Sequence, residues 1–233
     1  MGREDRMVIT KTEAVNKSKY AVSIDGEFAF VLYKGELHKY GIAENREISR
    51  DIYEEIMGTV LPKRAKLRCM NLLKSREYTR QQMEDKLRQG KYPPSVIEEA
   101  LAYVESFGYI DDAAYARHYV SAYMERKSRR SMEDELRRKG VDRSLIEEAM
   151  RAVQEEDGLQ DEEAMIKDLL RKKYYDAEST DLKEKRRIQA FLYRKGFSPD
   201  KIRRVMNCEE YGAENSWDCL LYTSPSPRDR TRS

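Results

Sequence analysis

TRQQMEDKLRQGKYPPSVIEEAL, from Thr79 to Leu101, recurs 49 residues later as SRRSMEDELRRKGVDRSLIEEAM, from Ser128 to Met150. The two segments align without a gap. A third, weaker copy lies 56 residues further on and keeps Ile188, Leu192, Arg194-Lys195-Gly196, Ile202 and Met206. A fixed period of this size is the signature of stacked helical units, because no single unit can bury its apolar face alone. The sequence therefore predicts a mainly α protein, with three tandem three-helix repeats in an elongated curved stack.

Each repeat is predicted to contain three helices, A, B and C, with apolar residues at helical spacing. In the first repeat, helix A is expected to bury Leu67, Met70, Leu72 and Leu73. Helix B is expected to bury Met83 and Leu87. The residues expected to be buried on helix C are Val96, Ile97, Ala100, Leu101 and Val104.

Capping signals bound these helices. Thr79 and Gln82 form a plausible capping box at the start of helix B. The glycines expected at the C′ position of helix B are Gly90, Gly140 and Gly196. Helix C is expected to start with Pro94 in repeat 1 and Pro199 in repeat 3, and after an Asp142 or Ser198 cap in repeats 2 and 3.

The joint between the first two repeats is the segment Phe107–Ala116, FGYIDDAAYA. Asp111 and Asp112 fall where a helix N-terminus favours negative charge. Because the tyrosines of the joint and of the helix after it follow helical spacing, they are predicted to belong to the core rather than to a platform that stacks on bases.

The N-terminal part of the chain has a different pattern, with short β-prone runs from Met7 to Tyr33. Asp25-Gly26 between two such runs is a strong hairpin signal. We expect three or four antiparallel strands that are marginal alone and pack on the helices that follow. A connecting helix is predicted to start after the Ser49 cap and to precede Pro62.

These patterns predict six segments. They are a small β segment at 7–45, a connecting helix at 46–62, helical repeats at 63–109, 110–157 and 158–207, and a disordered or artefactual tail at 208–233. The tail has no periodicity, and its ending, LLYTSPSPRDRTRS, resembles translated adaptor sequence. It is therefore excluded from the prediction of fold and function.

Composition narrows the class of protein. Charged residues make up 38% of the 233 residues, yet the net charge is only +2, so any nucleic-acid contact has to come from local patches. The three cysteines have no ligand-like spacing and are expected to be reduced thiols in a cytoplasmic protein. No apolar run is long enough to span a bilayer, and the N-terminus lacks a signal-peptide core.

Basic clusters recur before or along helix B of the second and third repeats. Such groups can neutralise phosphates or pair with acidic patches on a protein. The predicted binding residues are Arg126, Lys127, Arg129, Arg130, Arg137, Arg138, Lys139, Lys185, Arg186, Arg187, Arg194 and Lys195. The alternative for each cluster is a solvated helix face, paired with neighbours such as Glu133 and Glu135.

The joint motif, the repeated Leu-x-x-Lys-Gly pattern and the Ile-Glu-Glu-Ala helix together resemble the RecX family of bacterial recombination regulators. The resemblance covers roughly residues 63–207. It implies a cytoplasmic, non-enzymatic protein that needs no cofactor or metal. It further implies that the chain, expected to be a monomer, binds the RecA filament, modulates and usually inhibits strand exchange, and associates with single- or double-stranded DNA.

Two other classes remain open. One is a helical-repeat nucleic-acid-binding protein without a recombinase partner. The other is an enzyme, which would depend on His118 or Asp112, although neither histidine of the chain has a nucleophile placed beside it. A metal site at Asp111, Asp112 and His118 has too few ligands, and helix capping accounts better for the two aspartates.

Overall fold

The computed structural model describes residues 7–178 and 180–206. The described chain begins with a small antiparallel sheet and continues as helices. The strands are β1 (Met7–Ala14), β2 (Lys19–Ile24), β3 (Glu27–Tyr33) and β4 (Glu47–Ile48). The helices are α1 (Lys34–Lys39), α2 (Arg50–Glu55), α3 (Leu61–Leu73), α4 (Arg80–Gln89), α5 (Pro94–Ser106), α6 (Asp112–Tyr123), α7 (Arg129–Arg138), α8 (Arg143–Asp157), α9 (Glu162–Lys172), α10 (Leu182–Arg194) and α11 (Pro199–Met206). The predicted mainly α fold with an N-terminal antiparallel sheet is confirmed.

The four strands pair in the order β3-β2-β1-β4, and every pairing is antiparallel. Asp25 and Gly26 both have positive φ, at 51° and 88°, which confirms the hairpin turn between β2 and β3. Residues 7–45 are not all strand and turn, because Lys34 and Gly35 begin helix α1. Glu36 explains this start, since its side chain accepts a hydrogen bond from the Tyr33 backbone N–H at 2.7 Å.

The sheet shares one hydrophobic core with the first repeat. Buried sheet residues such as Val22, Phe30 and Leu32 lie in the same cluster as Leu87 and Leu101 of the helices. Full burial of each such side chain stabilises the fold by about 1.5–3 kcal/mol. The expectation that the sheet packs on the helices that follow it is therefore confirmed.

The connecting helix begins as predicted and ends differently. Ser49 caps α2 by accepting a hydrogen bond from the Ile52 N–H. The chain then stays helical through a π-helical turn, Ile56–Val60, and on into α3, so Pro62 does not end it. Leu61 N–H donates to the Ile56 carbonyl five residues back, and Pro62 occupies a first-turn position of α3, where its missing N–H is tolerated.

Helix A of the first repeat is α3, and its buried face differs from the prediction. Leu67 was expected in the core but is 57% exposed, whereas Ala65 and Cys69 are fully buried. At 100° per residue, Leu61, Ala65 and Cys69 form one stripe, and Leu67 points to the opposite side. The predicted cores of helices B and C, α4 and α5, are confirmed.

The end of helix B shows a second difference. Gly140 and Gly196 have φ of 83° and 90°, as expected for C′ residues, but Gly90 has φ of −74°. Lys91 takes the left-handed position instead, with φ of 57°. The 49-residue offset explains this result, because it aligns Lys91, and not Gly90, with Gly140.

The first two repeats contact each other at the end of α7. The Thr79 hydroxyl, which also completes the predicted capping box of α4, donates to the Lys139 carbonyl at 2.5 Å. Asp112 accepts from the Arg80 backbone N–H at 2.8 Å. Gly140 lies so close to helix α4 that an added Cβ would be 2.2 Å from Gln81 Cβ. These contacts join the start of α4 to the start of α6 and to the end of α7.

The joint confirms its capping residue and corrects the prediction for its tyrosines. Asp111 caps α6 by accepting from the Ala114 N–H at 2.9 Å. Tyr119 is buried and Tyr115 packs against the same core, but Tyr109 is 51% exposed and Tyr123 is 36% exposed. Ile110, which is 6% exposed, fills the core position at the joint.

The second and third repeats each have a core of their own, around Leu136 and Leu192. The molecule divides into two compact units, and the boundary falls between Gln160 and Asp161. The first unit holds the sheet and two repeats, and the second holds α9, α10 and α11. The predicted tail, 208–233, lies outside the described residues.

Candidate functional site

Helix α7 carries most of the predicted binding residues of the second repeat and presents several different faces. Met132 and Leu136 face the core and are almost completely buried. Because residues four apart lie on the same face, Arg129 and Arg137 share a face with Glu133, while Arg130 and Arg138 share one with Asp134. The predicted residues therefore do not form one continuous patch.

Lys127 belongs to a partly buried hydrogen-bond network and does not project from an open surface. Its ammonium donates to the Tyr119 hydroxyl at 2.8 Å and to both Glu135 oxygens at 2.9 and 2.7 Å. It also lies 4.3 Å from the Tyr123 ring centroid. Because an ammonium has three donors, the network occupies Lys127 fully. Lys139 lies 5.7 Å from the Tyr119 ring centroid.

The pKa values in this network follow from its hydrogen bonds. Burial lowers the pKa of Lys127, but the bonds to Glu135 and Tyr119 outweigh burial and leave it raised. Burial likewise raises the pKa of Glu135, and the bonds from Lys127 and Tyr119 reverse that effect. Burial and the Glu135 carboxylate together raise the pKa of Tyr119. Near neutral pH, Lys127 is therefore protonated and positive, and Glu135 is ionised and negative.

On the outer face of α7, Asp134 contacts three arginines. Its carboxylate pairs with Arg130 at 4.0 Å and closely with Arg137, and its backbone carbonyl accepts from Arg138 Nε at 3.2 Å. All four residues are exposed or half-exposed. Exposed pairs of this kind contribute about 0–1 kcal/mol, so their arginines can exchange the carboxylate for another anion at little cost.

A cleft of about 630 Å³ lies between α7 and α8 and brings four arginines together. Two of them, Arg129 and Arg137, were predicted as binding residues. Sequence reasoning missed the other two, Arg143 and Arg151, because each stands alone in α8 rather than in a basic run. Their spacing of eight residues on one helix was the available signal. The remaining lining residues are Glu133, Ile146, Glu147 and Gln154.

The predicted residues of the third repeat lie on and just after α10. Lys185 donates to the Ala177 carbonyl at 2.6 Å, and Arg187 pairs with Glu184 at 3.2 Å. Lys195 lies 5.7 Å from the Phe191 ring centroid. Arg186 and Arg194 are exposed, as is Arg126 in the second repeat. Within residues 7–178 and 180–206, the side chains of these three arginines form no ion pair.

Other candidate chemistry is sparse in the described part of the chain. It contains no group of three or more His, Cys, Asp or Glu side chains placed to hold a metal ion. His118 instead contacts Glu77 at 3.0 Å, and both side chains are mostly exposed. Burial raises the pKa of Asp112, which the Arg80 backbone N–H partly offsets. None of the helices described by the structure is long and apolar enough to cross a membrane.

The fold defines a class of protein: a mainly α protein of three-helix repeats that follow a small antiparallel sheet. Three-helix domains of RecX match the chain in order, the first over residues 65–103, the second over 111–150 and the third over 161–206. The regulatory protein RecX of Bacillus subtilis is 30% identical over 215 residues, covering 90% of this chain and 79% of that protein. The chain belongs to the RecX family of regulatory proteins.

Other RecX proteins match between 64% and 86% of the chain. The regulatory protein RecX of Caldanaerobacter subterraneus is 29% identical over 203 residues, covering 86% of this chain and 99% of that protein. A crystal structure of a regulatory protein RecX has a TM-score of 0.55 at 23% identity, over 86% of this chain and 99% of its own. RecX from Lactobacillus salivarius gives 0.51 at 23% identity, over 64% and 96%. These two structures support the fold.

Proposed function

We propose that this protein regulates the RecA recombinase by binding the RecA–DNA filament and modulating, usually inhibiting, its ATPase and strand-exchange activities. The observation that carries the proposal is the succession of three RecX three-helix domains over residues 65–206. The protein acts in recombination and DNA repair, in the cytoplasm, as a non-enzymatic monomer without a cofactor.

The basic faces of the second and third repeats supply the attachment. Arg126, Arg186 and Arg194 project from the surface, and the arginines around Asp134 form weak exposed pairs that an external anion can replace. Lys127 does not take part directly, because the bonds to Tyr119 and Glu135 occupy its three donors. Its role is to fix the turn that leads into α7.

Regulation follows from unequal affinity for different filament states. A ligand shifts an equilibrium only as far as its affinities for the two states differ. A protein that binds the filament without such a difference would decorate it and leave its activity unchanged. We therefore expect this chain to favour a filament state with low ATP turnover.

The test is RecA ATP hydrolysis on single-stranded DNA, titrated with the full chain. Inhibition well below one protein per RecA subunit is expected, and it would indicate an effect on filament growth. Triple replacement of Arg126, Arg186 and Arg194 by glutamine should weaken inhibition while leaving helicity intact. Unchanged ATP turnover and strand exchange at an excess of the folded protein would refute the proposal.

A second candidate is a nucleic-acid-binding protein without a recombinase partner, for which the cleft with four arginines would be the contact surface. Strong DNA affinity that falls steeply with salt, together with no effect on RecA, would support this candidate over the first.

A further inference from the structure

We propose that the cleft between α7 and α8 is a binding site for the phosphate backbone of a nucleic-acid strand, with Arg143 and Arg151 as its principal contacts. The proposal deepens the proposed function, on which its biological setting rests, by assigning one ligand chemistry to one surface. It also adds two residues that lie outside the basic runs of the sequence.

The walls of the cleft carry a regular pattern of charge. Arg129, Glu133 and Arg137 follow one another at four-residue intervals on α7, and Arg143, Glu147 and Arg151 do the same on α8. With a rise of about 1.5 Å per residue, the two arginines of each helix are about 12 Å apart along its axis. That distance equals the axial rise of three to four nucleotides in one strand of B-form DNA, at about 3.4 Å each.

The arginines of α8 are available to a ligand. Arg143 contacts Glu147 through Nε at 2.6 Å, with 84% of its side chain exposed. Arg151 is also exposed and makes no ion pair or hydrogen bond within the described residues. A guanidinium presents a planar fork of donors that matches two phosphate oxygens, a geometry that lysine does not offer.

Comparison with the first repeat shows that the charge of this cleft is not a property of every repeat. The aligned Arg80 pairs with Glu98 at 2.7 Å, with Glu105 at 2.9 Å and with Glu84 at 3.8 Å, so three carboxylates surround one arginine. In the cleft, Arg129 pairs with Glu133 at 2.9 Å and Arg143 pairs with Glu147 at 2.6 Å. The 49-residue offset aligns Glu105 with Gln154. The second repeat therefore has a neutral glutamine at the position where the first repeat has a glutamate.

The same offset aligns Pro94 with Arg143 and Ala102 with Arg151. The second repeat therefore gains two arginines at positions where the first repeat is uncharged. Two arginines stand against three glutamates in the first repeat, and four arginines stand against two glutamates in the second. The cleft changes from acidic to basic while the apolar residues beneath it are kept.

The third repeat does not carry this arrangement. The 56-residue offset aligns Arg137, Arg143 and Arg151 with Tyr193, Pro199 and Asn207. The group of four arginines is therefore particular to the second repeat, where arginines outnumber the glutamates of the cleft by four to two.

The experiment measures binding of a fluorescein-labelled oligodeoxythymidylate to the full chain by anisotropy, over a series of salt concentrations and without RecA. The R143Q/R151Q variant removes the two contacts and keeps good helix formers at both positions. The control variant, R50Q/R117Q, removes two exposed charges outside the cleft. Far-UV circular dichroism and thermal melting confirm that both variants are folded.

We expect the cleft variant to bind more weakly and its slope of log affinity against log salt to fall by about 1.4, at about 0.7 per phosphate contact. The control should keep the slope of the unmodified protein. The E133Q/E147Q variant should bind the oligonucleotide more tightly, because it removes carboxylates that repel phosphate. Equal slopes for the cleft and control variants would refute the proposal, as would unchanged or weaker binding by E133Q/E147Q.

Two further outcomes separate this proposal from its alternatives. If polyglutamate displaces the oligonucleotide at an equal concentration of charge, the cleft takes acidic protein segments and the assignment to nucleic acid is wrong. If the cleft variant loses DNA binding in a chain that never inhibits RecA ATP turnover, the cleft stands and the RecA proposal fails. If RecA is inhibited while the cleft variant binds DNA normally, the RecA proposal stands and the assignment of the cleft is wrong.

Discussion

Gly140→Ala tests the close contact between the first and second repeats. Gly140 has φ of 83°, and an added Cβ would be 2.2 Å from Gln81 Cβ. The left-handed conformation costs an alanine about 1–2 kcal/mol, and the overpacking costs a further 1–3 kcal/mol or so. If α4 moves away to relieve the overlap, the bond from Thr79 to the Lys139 carbonyl is lost, at about 1 kcal/mol. We expect a total destabilisation of about 3–6 kcal/mol.

Gly108→Ala is the matched control, because Gly108 also has positive φ, at 67°, but has nothing within 4 Å of an added Cβ. It should cost only about 1–2 kcal/mol. Urea unfolding followed by far-UV circular dichroism measures both variants. Hydrogen exchange of the α4 and α7 amides shows whether the loss is local to the contact. Equal destabilisation by the two substitutions would show that the repeats do not approach each other at Gly140.

Three further predictions test the core, the network and the cysteine. Leu136→Ala should destabilise the protein by about 2–5 kcal/mol because Leu136 is fully buried, whereas Leu67→Ala should cost less than about 0.5 kcal/mol; urea unfolding compares them. The folded-state pKa of Glu135 is lowered, so its stabilisation is present above the unfolded pKa, about 4.3, and is lost as the pH falls through the folded value. E135Q should therefore show a shallower loss of stability on acidification, and an unchanged acid limb would contradict the Lys127 network. Burial raises the pKa of the Cys69 thiol to about 11, so with the other two cysteines replaced by serine the native protein should resist iodoacetamide until it unfolds.

Local signals predicted the starts of the helices well. Ser49, Thr79, Asp111 and Asp142 all cap helices as expected, because an N-cap depends on residues within one turn of it. The hairpin at Asp25-Gly26 is equally local. The prediction failed at Pro62, where a π-helical turn keeps the chain helical up to the proline. The residues on either side of a proline do not indicate such a turn.

The binding residues show the opposite case. Runs of lysine and arginine identified Lys127 as a surface contact, but tertiary packing places it between Tyr119 and Glu135. Single residues such as Arg143 and Arg151 carried no such signal, because the cleft exists only once α8 packs beside α7. A run of charged residues shows only the composition of that part of the chain. Whether a basic side chain can bind a ligand depends on which residues the folded protein places next to it.

The sequence by itself determined the repeat architecture, the order of sheet and helices, the caps and most of the buried positions. These follow from periodicity and from contacts within a few residues, which any chain with this pattern has to satisfy. Only the tertiary structure decided which basic side chains form ion pairs with carboxylates of the same chain and which line an open cleft. The reason is physical: charge pairs such as Arg80 with Glu98 and Glu105 join residues that are far apart in sequence and meet only after the helices pack.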